Sequence, residues 1–271
     1  MKLQEFYYGT AWHWPLPYLP RVMLSYNMTR TLKKPWEINK PWMLDSGAYS
    51  IILLKGSYQW TTAEYAKGIQ MWNPDVAWTM DYPCEPKIRE KGKYTTEQAQ
   101  DMTNENTIEL EKQGVKVMNV LQGWTIEDYM WNLEKIKNRG LLTERLGIGS
   151  VCRRGKAKMI AQIIRAVHRQ VPSWVKLHGF GIKSSVLSGD SIYKLYSADS
   201  MAWAIESFHR YTYKEHSNKG YTWADKVPSL VSYVSKIENI ILEDQSQVPL
   251  TRYMEHELLE VGIADKERSV K

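Results

Sequence analysis

Eight short apolar runs recur along the chain, and segments of helical character separate most of them. Each run ends in small or polar residues and has the length of one buried strand. The runs cover residues 3–9, 21–25, 42–47, 76–81, 115–122, 145–150, 174–179 and 194–199. Strands that alternate with helices are typical of a parallel sheet. Eight such units predict an α/β fold, a (β/α)8 TIM barrel, with a doubly wound open sheet as the alternative.

The segments between the runs carry the start signals of helices. Thr61 with Glu64, and Thr95 with Gln98, have the spacing of capping boxes. Residues 156–167 place their apolar side chains on one stripe, as a helix with one buried face does. The first crossings are rich in proline and need no full helix.

The chain of 271 residues has the usual length of one such barrel. No low-complexity segment or linker rich in glycine and serine divides it. We therefore expect a single domain over residues 1–271. Its core barrel would cover about 1–210, and a helical extension would cover 211–271, with helical stretches near 201–209 and 230–242.

Charge and apolar patterning limit the class of protein. Lys and Arg number 36 against 30 Asp and Glu, and the net charge of +6 favours an anionic partner such as nucleic acid. The apolar runs are too short to cross a bilayer, and the first residues lack the apolar stretch of a signal peptide. Two cysteines cannot build a disulfide framework. We expect a cytoplasmic protein without a membrane partner.

Polar side chains end several of the predicted strands. Asp45, Asp81 and Asp199 end three runs, and Gln122 and His178 stand at the ends of two more. In a barrel these ends meet at one mouth, where such enzymes place their chemistry. A single aspartate there could merely cap a helix, but three together favour a site. Carboxylates of this kind serve as nucleophiles and as acid–base groups.

An ordered set of short motifs resembles the tRNA-guanine transglycosylase superfamily, whose barrel exchanges a guanine for a 7-deazaguanine. The resemblance covers about residues 1–210. The segments Gly149-Ser150-Val151-Cys152-Arg153-Arg154 and Ser197-Ala198-Asp199-Ser200 look more like the DpdA branch of phages and bacteria, which inserts 7-deazaguanines into DNA. The other matching motifs are Asp45-Ser46-Gly47-Ala48-Tyr49, Met80-Asp81, Leu121-Gln122-Gly123 and Gly147-Ile148-Gly149-Ser150.

The resemblance implies roles for individual residues. Asp199 would be the nucleophile that attacks C1′ of the target nucleoside, and Asp45 the acid–base group. Tyr49 would stack on one face of the base and His178 on the other, with a proton-handling role as the alternative for His178. The remaining base-binding residues that it implies are Ser46, Asp81, Gln122 and Gly149. The expected incoming base is 7-cyano-7-deazaguanine, and the expected compartment is the cytoplasm, of the host if the protein is viral.

Two departures from the tRNA enzymes favour DNA as the substrate. Those enzymes hold zinc with three cysteines and a histidine after the nucleophile, but no cysteine follows Cys152 here. We therefore expect no such zinc site and no cofactor. We also expect no appended RNA-binding domain, since the remaining length would not hold one.

Four basic residues follow the sixth run, at the predicted mouth. Arg153, Arg154, Lys156 and Lys158 fit either a solvated helix start or contacts to nucleic-acid phosphates. A base can reach the mouth only if it leaves the stack, so flipping or a single-stranded substrate is implied.

Three other functions remain open from the sequence. A tRNA-type enzyme would share the chemistry with a different substrate. A glycoside hydrolase would use paired carboxylates, although the candidates here are all aspartates. A binding subunit without chemistry would have no need for both Asp45 and Asp199. A homodimer or accessory modification proteins are further expected partners.

Overall fold

Eight parallel strands form one sheet in this computed structural model, which describes residues 3–152, 154–182, 184–187, 194–204 and 226–246. Neighbours follow the order β4-β3-β2-β1-β8-β7-β6-β5. Each strand lies within one of the eight apolar runs or overlaps it. The strands are β1 (Glu5–Thr10), β2 (Val22–Ser25), β3 (Trp42–Asp45), β4 (Val76–Ala77), β5 (Asn119–Leu121), β6 (Arg145–Ile148), β7 (Lys176–Gly179) and β8 (Ser197–Ser200).

Helices occupy most of the crossings between strands. The first crossing contains only a 3-10 turn, Leu16–Tyr18, which confirms that the proline-rich start needs no full helix. Both predicted capping boxes are formed, at the starts of α3 and α5. The helices are α1 (Tyr26–Thr29), α2 (Ala48–Lys55), α3 (Thr62–Trp72), α4 (Pro86–Gly92), α5 (Thr96–Lys112), α6 (Ile126–Asn138), α7 (Ala157–Gln170), α8 (Ser184–Leu187) and α9 (Val227–Ser246).

The sheet curls so that its first and last strands in the chain are neighbours. β1 pairs with β8 over four residues, from Glu5 opposite Ser197 onward. The edge strands β4 and β5 share no ladder, but one parallel bridge joins Trp78 to Met118. There the Met118 N–H donates to the Ala77 carbonyl at 2.8 Å. This cyclic order is that of a TIM-like α/β fold, open between β4 and β5 except for the bridge, and it differs from the doubly wound alternative.

Two apolar cores lie on opposite faces of the sheet. The larger one fills the space between strands and helices, and it contains the predicted stripe of α7, with Ile160, Ile163, Ile164 and Val167 buried. The smaller one fills the interior of the curled sheet. Its buried members are Tyr7, Met23, Met43, Val76, Trp78, Met118 and Val120, with Phe180 packed against them.

The helix α9 packs on the outside of the sheet. Leu230 and Ile237 are buried in the larger core, and the Tyr8 hydroxyl donates to the Glu238 carboxylate at 2.9 Å. The predicted stretch 230–242 is therefore helical. Residues 205–225 and 247–271 lie outside the described part of the chain, so the division into a barrel and an extension stays a prediction. No helix among the described residues has the length and apolar content to cross a membrane.

Candidate active site

A pocket of about 550 Å³ opens at the carboxyl ends of the strands. Asp45 at the end of β3, Asp81 after β4 and Asp199 on β8 all line it. The three aspartates therefore meet at one mouth, because parallel strands in a curled sheet end on the same side. Tyr49 and Gly149 also line the pocket.

The turn after β3 fixes the position of Asp45. Gly47 follows it with a φ of +84°, a left-handed conformation that residues with side chains rarely adopt. A Cβ at Gly47 would lie 2.5 Å from the Ser25 hydroxyl oxygen and 2.6 Å from the Asn27 Cβ. The Gly47 N–H donates to the Asp45 carboxylate at 2.9 Å. The glycine of this motif thus lets the turn close against β2 and hold the acid in place.

Asp45 has the properties of an acid that keeps its proton at neutral pH. Burial raises its pKa, and the negative charges of Asp81 and Asp199 raise it further. Hydrogen bonds from the Gly47 and Ser46 backbones act in the opposite direction but are the smaller effect. A carboxyl group with a raised pKa can give a proton to a leaving group and take one back.

Asp81 is held from behind by two buried side chains. The Ser46 hydroxyl donates to Oδ1 at 3.1 Å, and the Gln122 amide donates to Oδ2 at 2.5 Å. Both side chains are fully buried and do not line the pocket. Burial raises the pKa of Asp81, and the nearby Glu85 raises it as well. Of these three predicted base-binding residues, only Asp81 reaches the cavity directly.

Sequence reasoning missed Glu85, a buried carboxyl group in the pocket wall. The Ser150 hydroxyl lies within donating distance of the Glu85 Oε2, at 2.8 Å, and of the Gln122 side-chain oxygen Oε1, at 2.7 Å. Burial raises the pKa of Glu85. The available signal was its place four residues after Asp81, in the loop that leaves the same strand end.

Ser150 links the two sides of this wall in a strained conformation. Its φ is +55°, which is uncommon for a residue with a side chain. The Cys84 N–H donates to its hydroxyl at 2.6 Å, so the serine joins the loop after β4 to the loop after β6. Backbone strain of this kind collects at binding and catalytic sites.

Gly149 permits the close approach of Gln122. A Cβ at Gly149 would overlap the Gln122 amide group. The Gly149 carbonyl accepts a hydrogen bond from the Tyr129 hydroxyl at 2.6 Å. The absence of a side chain at Gly149 therefore lets the Gln122 amide pack against the backbone of the pocket wall.

Asp199 is tied to the neighbouring strand β7. The Gly181 N–H donates to its Oδ1 at 2.9 Å, and the His178 Nε2 lies 3.3 Å from the same oxygen. The His178 ring is fully buried beneath the pocket and is not part of its lining. Phe180, two residues further along the same face, lines the pocket instead. His178 thus contacts Asp199 from beneath the pocket, and the aromatic ring that lines the cavity on this side is that of Phe180.

The basic residues near the mouth separate into two kinds. Arg154 is buried, donates to the carbonyls of Ser150 at 2.9 Å and Trp124 at 2.7 Å, and stacks on the Trp124 ring. Lys156 and Lys158 are exposed at the start of α7. The Arg154 side chain therefore lies in the protein interior, while the side chains of the two lysines face solvent. Arg153 lies outside the described residues.

The described residues contain no cluster of three or more side chains suited to hold a metal ion. His209, His216 and His256 fall in segments that are not described, so the expectation of no zinc stays a prediction.

Comparison with known proteins identifies a family. The chain matches none of the curated proteins at a significant level of similarity. A family model described as DpdA, DeoxyPurine in DNA protein A, matches residues 11–224, which are about four fifths of the chain and include all three pocket aspartates. The chain therefore belongs to the DpdA family.

Proposed function

We propose that the protein is a DNA-guanine transglycosylase that exchanges guanine in DNA for a 7-deazaguanine, with 7-cyano-7-deazaguanine as the incoming base. The observation that carries the proposal is the pairing of Asp45 and Asp199 at one pocket. One carboxyl group has a raised pKa and can hold a proton, while the other is anchored by a backbone N–H and a histidine. Family membership supports DNA as the substrate.

The first half-reaction removes guanine. A carboxylate oxygen of Asp199 forms a bond to C1′ of the deoxyribose while the bond from C1′ to N9 breaks. The electron pair of that bond leaves with the guanine, and Asp45 donates its proton to a ring nitrogen of the departing base. The product is a covalent ester between Asp199 and the DNA.

The second half-reaction reverses these steps with a different base. Asp45, now a carboxylate, takes the proton from N9 of the incoming 7-deazaguanine. N9 forms the new bond to C1′, and the bond to Asp199 breaks with its electrons returning to the carboxylate. The proton and the charges balance over the two halves, so no cofactor is required.

The pocket offers suitable groups for a planar purine. Tyr49 and Phe180 present rings in the lining, and stacking on an aromatic ring stabilises a base by about 1–3 kcal/mol. Asp81 offers carboxylate oxygens to the N–H groups of a guanine edge. Ser46 and Gln122 orient this carboxylate from behind and thereby act on the base indirectly.

The DNA must present its base outside the stack, because the pocket lies at the bottom of a mouth. Among the described residues, Lys156 and Lys158 are the phosphate-contact candidates on the surface, and Arg153 stays a prediction. A homodimer and accessory modification proteins stay predictions.

Incorporation of labelled 7-cyano-7-deazaguanine into duplex DNA, single-stranded DNA and tRNA tests the proposal. Label is expected in DNA, and an Asp199→Asn variant is expected to incorporate none while it still binds DNA. Label in tRNA alone would establish the tRNA-type enzyme instead. Binding of DNA without any label in any substrate would favour a subunit without chemistry.

A further inference from the structure

Two neighbouring strands place three polar side chains in a row inside the sheet. Ser197 and Asp199 lie two residues apart on β8 and therefore point to the same face. His178 on β7 pairs in register with Ser197. Its ring bridges the two, with Nδ1 at 2.9 Å from the Ser197 hydroxyl and Nε2 at 3.3 Å from the Asp199 carboxylate.

The partners of the ring fix its tautomer. A carboxylate oxygen can only accept, so Nε2 must carry the hydrogen that is shared with Asp199. In the neutral ring Nδ1 is then an acceptor, and the Ser197 hydroxyl supplies the hydrogen for it. Ser197 and His178 are both fully buried, where a hydrogen bond is stronger than in water.

Aromatic side chains hold the ring in this orientation. The Trp78 ring lies 4.8 Å from the His178 ring at a tilt of 35°, and the Phe180 ring lies 4.7 Å away, edge to face. Tyr7 approaches from a third side at 6.5 Å. With its neighbours packed so closely, the imidazole cannot rotate without displacing them.

Both donors to Asp199 reach the same oxygen. The Gly181 N–H and the His178 Nε2–H converge on Oδ1, and no described residue donates to Oδ2. We propose that His178 is a positioning residue that, with the Gly181 N–H, holds Oδ1 and leaves Oδ2 of Asp199 as the oxygen that bonds to C1′. This inference rests on the proposed function, because it assigns the attacking atom of that reaction.

The assignment gives His178 a role that differs from stacking on the base. In this role the imidazole acts through its hydrogen bond to Oδ1 of Asp199. It donates a hydrogen bond to the Asp199 carboxylate before attack and restricts the rotation of that group. A misdirected nucleophile can cost about 100-fold in rate.

Three variants test the inference in the full-length protein with a labelled DNA substrate. His178→Phe keeps an aromatic ring among the others but removes the donor. His178→Gln keeps an N–H at a similar distance from the backbone. Tyr7→Phe is the matched control, because Tyr7 contacts the same ring from the same interior but makes its hydrogen bond to Glu5.

For each variant we measure the single-turnover rate at which the covalent protein–DNA adduct forms, together with the KM for DNA. His178→Phe should lower the rate about 10- to 100-fold with an unchanged KM. His178→Gln should remain within about fivefold of the wild type, as one retained hydrogen bond requires. Tyr7→Phe should not change the rate. A His178→Phe rate within about twofold of the wild type, or an equal loss in the Phe and Gln variants, overturns the inference.

Thermal unfolding of each variant shows whether it folds. If His178→Phe does not fold, His178→Met replaces it, since it also removes the N–H donor and its flexible apolar side chain adapts to the buried site; a rate equal to the wild type would then overturn the inference. The Asp199→Asn variant distinguishes a failure of the proposed function from a failure of the positioning role of His178. If that variant forms as much adduct as the wild type, the proposed function fails; if it forms none while His178→Phe is fully active, only the positioning role fails.

Discussion

At the scale of single residues, the pocket holds more carboxyl groups than can be ionised together. Asp45, Asp81, Glu85 and Asp199 line one cavity, and burial raises the pKa of the first three. Mutual repulsion adds to burial for Asp45, whose pKa is raised to about 8. The site thus stores a proton at neutral pH at a cost to the stability of the fold.

Replacement of Asp45 by asparagine should therefore stabilise the protein while it abolishes base exchange. The folded state binds the Asp45 proton more tightly than the unfolded state does, so the wild type loses stability as the pH rises from its ordinary pKa to about 8. A neutral asparagine side chain carries no such penalty. We expect Asp45→Asn to raise the Tm by about 2–4 °C at a pH above 8 and by less near pH 5.

Calorimetric scans across that pH range measure the effect. An increase in Tm that is equal at both ends of the range would show that Asp45 is ionised throughout, and it would contradict the assignment of this residue as the proton store.

The sequence was sufficient to predict the acids at the strand ends but not the residues behind them. Asp45, Asp81 and Asp199 each end an apolar run, which is a local signal. Glu85 lies in a loop, and its approach to Ser150 depends on how two loops meet. The sequence also does not tell whether His178 or Phe180 reaches the pocket. The two rings lie on one face, and only the three-dimensional packing decides which of them lines the cavity.

At the scale of elements, the start of α7 combines a structural and a solvent-facing part. Arg154 joins the loops after β5 and β6 through backbone carbonyls. Lys156 and Lys158 stand at the helix N-terminus, where the helix dipole favours acids, and no acid occupies its first turn. Positive charge at this end has no benefit for the helix, which supports a role in binding phosphates.

Replacement of both lysines by alanine should weaken DNA binding without a change in stability. The slope of log K against log salt should fall by about 0.9 for each phosphate that the variant no longer neutralises in duplex DNA. Fluorescence anisotropy of a labelled duplex at several salt concentrations measures the slope. A salt slope that stays at the wild-type value in the double lysine variant would exclude these phosphate contacts.

Arg154→Met is the contrasting variant for the same segment. The loss of its buried hydrogen bonds to the Ser150 and Trp124 carbonyls should lower the free energy of unfolding by about 2–4 kcal/mol. Urea unfolding measures this change, and a stability equal to that of the wild type would show that Arg154 does not join the two loops.

Element boundaries were predicted unevenly. Capping boxes identified the starts of α3 and α5, because their signal is local and chemical. The fourth and fifth runs became strands of only two and three residues. These runs meet across the open part of the sheet, where one bridge replaces a ladder, and no local sequence signal reports how far a ladder extends.

At the scale of the whole molecule, the inner core limits which residues the strands can carry. Gly147 on β6 faces this core, and a Cβ there would overlap the Phe180 ring and lie 3.2 Å from the Trp78 ring. The glycine therefore makes room for the rings that also surround His178. The tight interior connects the packing of the sheet to the geometry of the site.

Gly147→Ala should lower the free energy of unfolding by about 1–3 kcal/mol, as overpacking of a core does. It should also slow base exchange, because the Phe180 ring must move. Gly155→Ala is the matched control, since a Cβ there meets no atom within 4 Å. Urea unfolding of both variants provides the comparison, and equal stabilities would show that the interior can adjust without cost.

The eight-unit architecture was predictable from the alternation of runs and helices, which is a global pattern. The pairing of β1 with β8 follows from that number of strands. The number of strands does not specify how completely β4 and β5 join, nor that α9 reaches back to Tyr8 near the start of the chain.

The four carboxyl groups also make the pocket selective for the neutral base of a nucleotide over its charged phosphate. A neutral purine ring can enter, but a phosphate placed about 4 Å from one carboxylate would be repelled by about 4 kcal/mol at an effective dielectric constant of about 20. If the protein acts on DNA as proposed, its net charge of +6 favours attraction of the polymer to its surface. Free guanine mononucleotides, whose phosphate would have to follow the base inward, are therefore poor competitors. On the proposed function, we expect the pocket to admit a base either alone or on a strand whose phosphates remain outside.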